Sequence, residues 1–263
     1  MTKTINFKKF SSIKIGQTID VFMIDEYDYP KDHYLLGASN NVLIGTNPPP
    51  LMMLSKKYDY IKIEDGLLII GAATPGGKIV SFCKKHNIKN FEFLSHLPGT
   101  LGGMLKMNAG LKEFEIFHHL VWLRTGSRRI HKEEINYGYR YTDIVDVVFE
   151  AAFELDHGFC TDKIELFRTM RSNQPHEPSA GSCFKNPPGD YAGRLIEAAG
   201  LKGKRIGDAG FSQKHANFLI NYGDATFEDA AQLIQHAEQA VKQMFNLDLQ
   251  REIIIVDKAY MSL

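Results

Sequence analysis

The densest glycine pattern in the chain is Pro98-Gly99-Thr100-Leu101-Gly102-Gly103. A rigid residue followed by three positions without a β-carbon lets the backbone turn sharply and aim successive N–H groups outward. Such an array can receive a pyrophosphate without formal positive charge; an ordinary tight turn is the other reading of the same residues. The segment matches neither G-x-G-x-x-G nor G-x-x-x-x-G-K-[ST], so the dinucleotide and P-loop folds lose support. Asn108-Ala109-Gly110 is a second compact passage, and Gly37-Ala38-Ser39-Asn40-Asn41 a third. A fourth, Gly181-Ser182-Cys183-Phe184-Lys185-Asn186-Pro187, sets a serine hydroxyl in a tight setting. No G-x-S-x-G surrounds it, which argues against a hydrolase elbow, while Lys185 and Asn186 can address anionic or polar groups.

These segments need elements to position them. Thr18 to Ile24 and Tyr34 to Ile44 read as short strands, the second interrupted by the small-residue loop, and Pro48-Pro49-Pro50 makes a stiff connector and a boundary between lobes. Two strands flank Glu64-Asp65-Gly66, a hairpin signal. Pro75 opens a helix with Ile79, Val80, Phe82 and Cys83 on one side, ended by His86-Asn87. Strands are expected over 116–124 and 145–155, a helix over 161–170, and a linker over 171–180, where two prolines interrupt any periodicity. A short helix over 191–199 ends at Gly200. Thr226 and Asp229 then cap a helix whose Ala230, Leu233, Ala237, Ala240, Val241 and Met244 form one apolar face. Strands near 205–207 and 217–221 and a closing strand over 251–256 complete an α+β pattern.

Composition narrows the function classes. Hydrophobic residues at 44% and charged residues at 24% over 263 residues exclude wholesale disorder and a heptad rod. With 31 basic against 31 acidic residues, no global field draws the chain to a phosphate polymer or an anionic membrane. Tyr137, Tyr139 and Tyr141 therefore read as packing around Arg140 rather than as a base-stacking stripe. Cys83, Cys160 and Cys183 lack zinc-type spacing and read as reduced thiols, so no metal is expected. No stretch reaches 18 uncharged apolar residues and no signal h-region follows the N-terminus, which together lead to the expectation of a cytoplasmic protein without membrane insertion.

The ordered set PGTLGG (98–103), MNAG (107–110), GYRYT (138–142), AGSCFKNP (180–187) and AGLKGKRIGDAGFSQKHANFLIN (199–221) resembles the UDP-N-acetylenolpyruvoylglucosamine reductase family, flavoenzymes of bacterial cell-wall precursor synthesis. The likeness runs from residues 14–16 to residues 251–255. The chain looks like a short form lacking the extra tyrosine-bearing loop of longer members. The resemblance implies an α+β fold: a two-lobed FAD-binding module of the vanillyl-alcohol oxidase/PCMH type (1–50 and 51–175), a small α+β substrate domain (176–248), and a C-terminal strand (249–263) returning to the flavin. It implies bound FAD, NADPH as hydride-donating cosubstrate, and reduction of UDP-N-acetylglucosamine enolpyruvate to UDP-N-acetylmuramate. It implies no nucleic acid and no obligatory protein partner.

By the same resemblance, Pro98, Gly99, Thr100, Gly102, Gly103, Asn108, Ala109 and Gly110 stand where the family passes the flavin pyrophosphate and ring. The first-lobe loop usually reads G-G-G-S-N. Here Gly37 to Asn41 put Ser39 at a normal glycine and Asn40 at a normal serine. Ser182 matches the proton-donating serine. Arg140 matches the arginine of Y-R-x-S, with Thr142 replacing the serine, and Glu252 matches the acidic residue that joins Arg140 in stabilising the intermediate. Arg140, Lys185, Asn186, His215 and Asn217 fall at substrate-binding places. Taken without the family, an Arg–Glu pair reads as a structural salt bridge and His215 as a hydrogen-bonding residue. Another FAD-dependent oxidoreductase of the same fold, or a non-catalytic flavin-binding protein, is the alternative.

Overall fold

In the computed structural model of the chain, which describes residues 1–126 and 128–261, Asp65 and Gly66 have φ of 52° and 73°. That left-handed pair is what a two-residue hairpin requires, and it joins strands Ile61–Glu64 and Leu67–Gly71 in the register Glu64↔Leu67. The hairpin extends into an antiparallel sheet in the order Arg128–His131, Leu120–Thr125, Val148–Glu154, Leu67–Gly71, Ile61–Glu64. Alternation along the strands sorts the side chains. Leu68, Ile70, Ala151 and Phe153 face a core completed by Ile79, Cys83, Leu105 and Phe167 from three helices, whereas Ile69, Trp122 and Ala152 pack on the opposite face. The helix Gly76–Lys85 stops where Asn87 turns left-handed: Ile88 N–H donates to the Cys83 carbonyl and Asn87 N–H to that of Lys84, the Schellman pattern. Cores and contacts divide the chain into two units, of which this is the first, comprising Met1–Thr2, Phe22–Ala38 and Leu51–Ser172.

The second unit comprises Lys3–Val21, Ser39–Pro50 and Asn173–Leu263. Its sheet runs Ser179–Ser182, Phe218–Asn221, Ala209–Phe211, Arg205–Ile206, antiparallel throughout. The helix Phe227–Phe245 begins with the reciprocal Thr226–Asp229 capping box and buries Ala230, Leu233, Ile234, Ala237 and Val241 in one core with Phe211 and Leu219. Separately, Ile254–Val256 pairs in parallel with Val42–Ile44.

Several expectations need correction. Residues 116–119 form turns, with His118 N–H on the Glu115 carbonyl and Leu120 N–H on that of Phe117, so the strand starts at Leu120. The expected strand over 145–155 is Val148–Glu154, and Val145 is 91% exposed. Ser179 and Ala180, placed in the linker, already belong to a strand. Met244 is 59% exposed because the helix outruns its core. The closing strand is only Ile254–Val256, since Arg251 bridges Phe184 and the N–H groups of Glu252 and Ile253 turn to the Cys183 carbonyl. Strands Thr2–Asn6 and Leu51–Leu54 were not expected; the second pairs in parallel with Tyr34–Leu36. Among the described residues, no helix is long and apolar enough to cross a membrane.

Candidate active site

In the first unit the Pro98–Gly103 segment is not all loop. Gly99 turns at φ 130°, Thr100 takes the N-cap position, and Leu101–Lys106 is helical, so Gly102 and Gly103 lie in a first helical turn. The expected outward row of donors is reduced as well. Leu101 N–H donates to the Thr74 carbonyl (3.0 Å) and Gly102 N–H to the Ala72 carbonyl (2.8 Å), leaving Thr100 and Gly103 N–H without a partner among the described residues. Gly102 is tight: a β-carbon there would stand 3.2 Å from the Ala72 carbonyl oxygen. Gly37 comes to the same place, since its β-carbon would lie 3.4 Å from Thr100 Oγ1 and 3.7 Å from Gly103 Cα. Ala38 follows, half-buried.

Two motifs thirty residues apart are knit together beside it. Asn108, fully buried and left-handed at φ 43°, donates Nδ2–H to Glu115 Oε2 (2.9 Å) and to the Gly138 carbonyl (3.0 Å). Arg140 lies in the two-residue turn between Tyr137–Gly138 and Tyr141–Thr142, at φ 53°. Its guanidinium donates to the carbonyls of Gly110 (2.8 Å) and Asn108 (3.5 Å), passing the Asn108-Ala109-Gly110 backbone. Thr142, at the place of the family's serine, donates its hydroxyl to the Lys106 carbonyl at 2.7 Å. One residue here escaped the sequence reading, which left it at the start of the linker. Arg171 ends the helix Thr161–Met170, and burial and the neighbouring Arg140 charge both hold its guanidinium below the ordinary arginine range. A lone arginine after a helix carries no spacing signal that could have revealed it.

The second unit gathers the other group. Ser182 ends its strand opposite Phe218, half-buried. Lys185 N–H donates to the Gln250 carbonyl, and its ammonium has no acidic partner among the described residues. Asn186 Oδ1 accepts from Ala192 N–H at 3.1 Å, and its amide NH2 has no partner among the described residues. His215 accepts Asn217 N–H at Nδ1 (3.3 Å), which puts its proton on Nε2, and burial and then the Lys202 charge push its pKa down, so it is a neutral donor. Asn217 is 3% exposed, and its carboxamide bonds the Phe184 backbone at both ends, Oδ1 accepting Phe184 N–H at 2.9 Å and Nδ2–H donating to the Phe184 carbonyl at 2.8 Å. Asn41 Nδ2–H donates to the Glu252 carbonyl at 2.8 Å, tying the first-lobe loop to the segment before the closing strand. The neighbouring Cys183 thiol is raised by burial and stays protonated, and all three cysteines are free.

The loops that the resemblance assigns to FAD hold three buried polar atoms with no partner among the described residues: Ser39 Oγ, Asn40 Oδ1 and Asn108 Oδ1. Each costs about 1–3 kcal/mol if left unpaired, and Ser39 is in addition left-handed at φ 53°. Within the second unit the Ser39 hydroxyl and Asn40 carboxamide oxygen, and within the first unit the Asn108 carboxamide oxygen, each suit a group whose phosphates accept and whose ribityl hydroxyls and ring N–H donate. The residues present therefore fit FAD. The triad His119, Glu154 and Asp156 offers three ligand atoms within 4.8 Å of one another, but His119 already bonds Glu154 at 3.0 Å and Lys89 faces Asp156 at 3.9 Å, as in a surface charge network.

Comparison with known proteins covers nearly the whole chain. The family model for the C-terminal domain of UDP-N-acetylenolpyruvoylglucosamine reductase matches residues 174–256. UDP-N-acetylenolpyruvoylglucosamine reductase of Campylobacter jejuni (strain RM1221) is 46% identical over 258 residues, covering 96% of this chain and 99% of the relative. That of Helicobacter hepaticus is 44% identical over 263 residues, covering 97% and 99%. The crystal structure of UDP-N-acetylenolpyruvylglucosamine reductase from Thermus caldophilus superposes with a TM-score of 0.84 at 24% identity, over 97% of this chain and 98% of that one, and shares the fold. At these identities over nearly full length, the chain belongs to the UDP-N-acetylenolpyruvoylglucosamine reductase family.

Proposed function

We propose that the protein reduces UDP-N-acetylglucosamine enolpyruvate to UDP-N-acetylmuramate in the cytoplasm, with FAD bound and NADPH as cosubstrate, in the synthesis of peptidoglycan precursors. Family membership supports the reaction. The observation in the structure that carries it is Arg140, a non-glycine residue kept left-handed with its guanidinium turned onto the Asn108 and Gly110 carbonyls. Such a conformation costs on the order of 1–3 kcal/mol and persists where a side chain must be aimed.

Residues 1–50 and 51–175 are the FAD-holding segments, 176–248 the sugar-nucleotide segment, and 249–263 the C-terminal segment that presents Glu252. Gly37, Ala38, Ser39, Asn40, Pro98 to Gly103 and Asn108 to Gly110 hold FAD, the close backbone passages at its pyrophosphate. When bound, FAD supplies hydride exchange between NADPH and the terminal carbon of the enolpyruvyl double bond. Hydride addition at that carbon leaves negative charge on the adjacent carbon and its carboxylate. Arg140 holds the carboxylate, and Glu252, protonated, donates a hydrogen bond to the developing enediolate. Ser182 then delivers a proton to the carbanionic carbon; it attacks no acyl group and needs no triad. Lys185, the Asn186 amide and the neutral His215 Nε2–H address the anionic and polar parts of the sugar nucleotide.

The test is product analysis. The purified protein incubated with NADPH and the enolpyruvyl sugar nucleotide is expected to form UDP-N-acetylmuramate with one NADPH oxidised per product. NADPH oxidation without that product contradicts the assignment.

A further inference from the structure

The Asn217 carboxamide bonds both main-chain groups of one residue, Phe184. Phe184 N–H donates to Oδ1 at 2.9 Å and Nδ2–H donates to the Phe184 carbonyl at 2.8 Å, while the main-chain carbonyl of Asn217 accepts Cys183 N–H at 2.7 Å. Three hydrogen bonds thus hold the two residues that follow Ser182. The sheet reaches only part of this: its register slips between Ser179↔Ile220 and Ser182↔Phe218, and its last ladder bond is the main-chain one between Cys183 and Asn217, so Phe184 lies beyond the paired strand. A carboxamide carries the same donor and acceptor as a peptide group, so the Asn217 side chain stands in for the missing strand. On the other side, the Cys183 carbonyl accepts the N–H of Glu252 at 2.9 Å and of Ile253 at 3.2 Å, and Lys185 N–H reaches the Gln250 carbonyl at 2.8 Å. Asn41 closes the row, its Nδ2–H on the Glu252 carbonyl and its own carbonyl accepting Ile254 N–H.

From this chain of contacts we infer that Asn217 is a positioning residue: it sets the Ser182 hydroxyl in fixed register with Glu252, so that proton delivery and charge stabilisation address one substrate. The inference rests on Ser182 being the proton donor of the proposed reaction. Misplacing a reacting group by about an ångström costs roughly 100-fold in rate, so loosening this peptide acts on proton delivery and leaves the earlier reduction by NADPH alone.

Single-turnover kinetics on FAD-loaded enzyme separates the two half-reactions. In N217A, flavin reduction by NADPH should stay near the wild-type rate, while substrate-driven reoxidation falls roughly 10- to 100-fold. Because Asn217 acts through Ser182, the double variant N217A/S182A should reoxidise no more slowly than S182A alone. N217D supplies a second handle and carries the test if N217A does not fold. Its carboxylic acid, when protonated, both donates to and accepts from Phe184, so reoxidation should recover at low pH and fail as the acid ionises. Equal slowing of both half-reactions, additive losses in the double variant, or a pH-independent N217D overturns the positioning role. Wild-type reoxidation in S182A removes the proton-donor reading and this role with it; slow reoxidation in S182A beside wild-type rates in N217A and N217D refutes the role of Asn217 alone.

Discussion

An arginine in a hairpin turn and a glutamate before a closing strand are ordinary residues until their hydrogen-bond donors are given a task. Arg140→Ala removes the guanidinium that the Gly110 carbonyl orients, and Glu252→Gln keeps shape while changing what the group can donate. Both variants should slow substrate-driven flavin reoxidation by about 100-fold or more, the scale of a lost charge-stabilising donor, with FAD affinity nearly unchanged. Unaltered reoxidation in both would make the pair structural. His215 gives a pH effect whose sign follows from burial. Its folded pKa lies below the value near 6.5 of an unfolded histidine, so below that pH the unfolded chain binds more protons. The stability that neutral His215 contributes is therefore complete above about pH 6.5 and is lost as pH falls through the lower folded pKa. Denaturant midpoints from pH 8 to 5 should fall more steeply for wild type than for H215Q; parallel curves would contradict this. Sequence patterns reached Ser182, Arg140 and Glu252 through their motifs. They could not reach the pairing of both Asn217 amide atoms with Phe184 or the approach of Arg171 to Arg140, because neither leaves a trace in spacing.

At the scale of elements, legibility followed the strength of local chemistry. The helix Phe227–Phe245 and the Asp65-Gly66 hairpin were readable because a capping box and a left-handed turn each name their residues. Leu51–Leu54 was hidden by the three prolines before it, and residues 251–253 were read as strand because the apolar run continues while the pairing turns aside to Phe184 and Cys183. Gly102 sits at a close backbone passage against Ala72, and the N–H groups of Leu101 and Gly102 are engaged by the Thr74 and Ala72 carbonyls. Gly102→Val tests that passage. Its β-carbon would meet Ala72 Cβ at 3.3 Å, and the overpacking, about 1–3 kcal/mol, must be relieved by shifting the Thr100–Gly103 turn. Titration of the folded variant with FAD should show affinity reduced roughly tenfold or more, the equivalent of about 1.4 kcal/mol. Wild-type affinity would remove this turn from the cofactor site.

For the whole molecule, the sequence showed an α+β pattern but not how its segments interleave. Lys3–Val21 and Ser39–Pro50 fold with the C-terminal half, and the parallel pairing of Val42–Ile44 with Ile254–Val256 joins positions near opposite ends of the chain. Local periodicity has no means of expressing so distant a contact. If the orphaned Ser39, Asn40 and Asn108 atoms are the partners of FAD, the cofactor stabilises the folded chain by mass action. At a hundredfold excess over its dissociation constant this amounts to about 2.7 kcal/mol. At about 2–4 °C per kcal/mol for chains near this size, Tm should rise by roughly 5–11 °C, and an FAD-independent Tm would contradict the fit. The most direct measurement of the proposed reaction is anaerobic. NADPH should bleach the bound flavin, and adding UDP-N-acetylglucosamine enolpyruvate should restore the oxidised spectrum with formation of one equivalent of UDP-N-acetylmuramate. A flavin that NADPH bleaches but that this substrate leaves reduced would contradict the assignment.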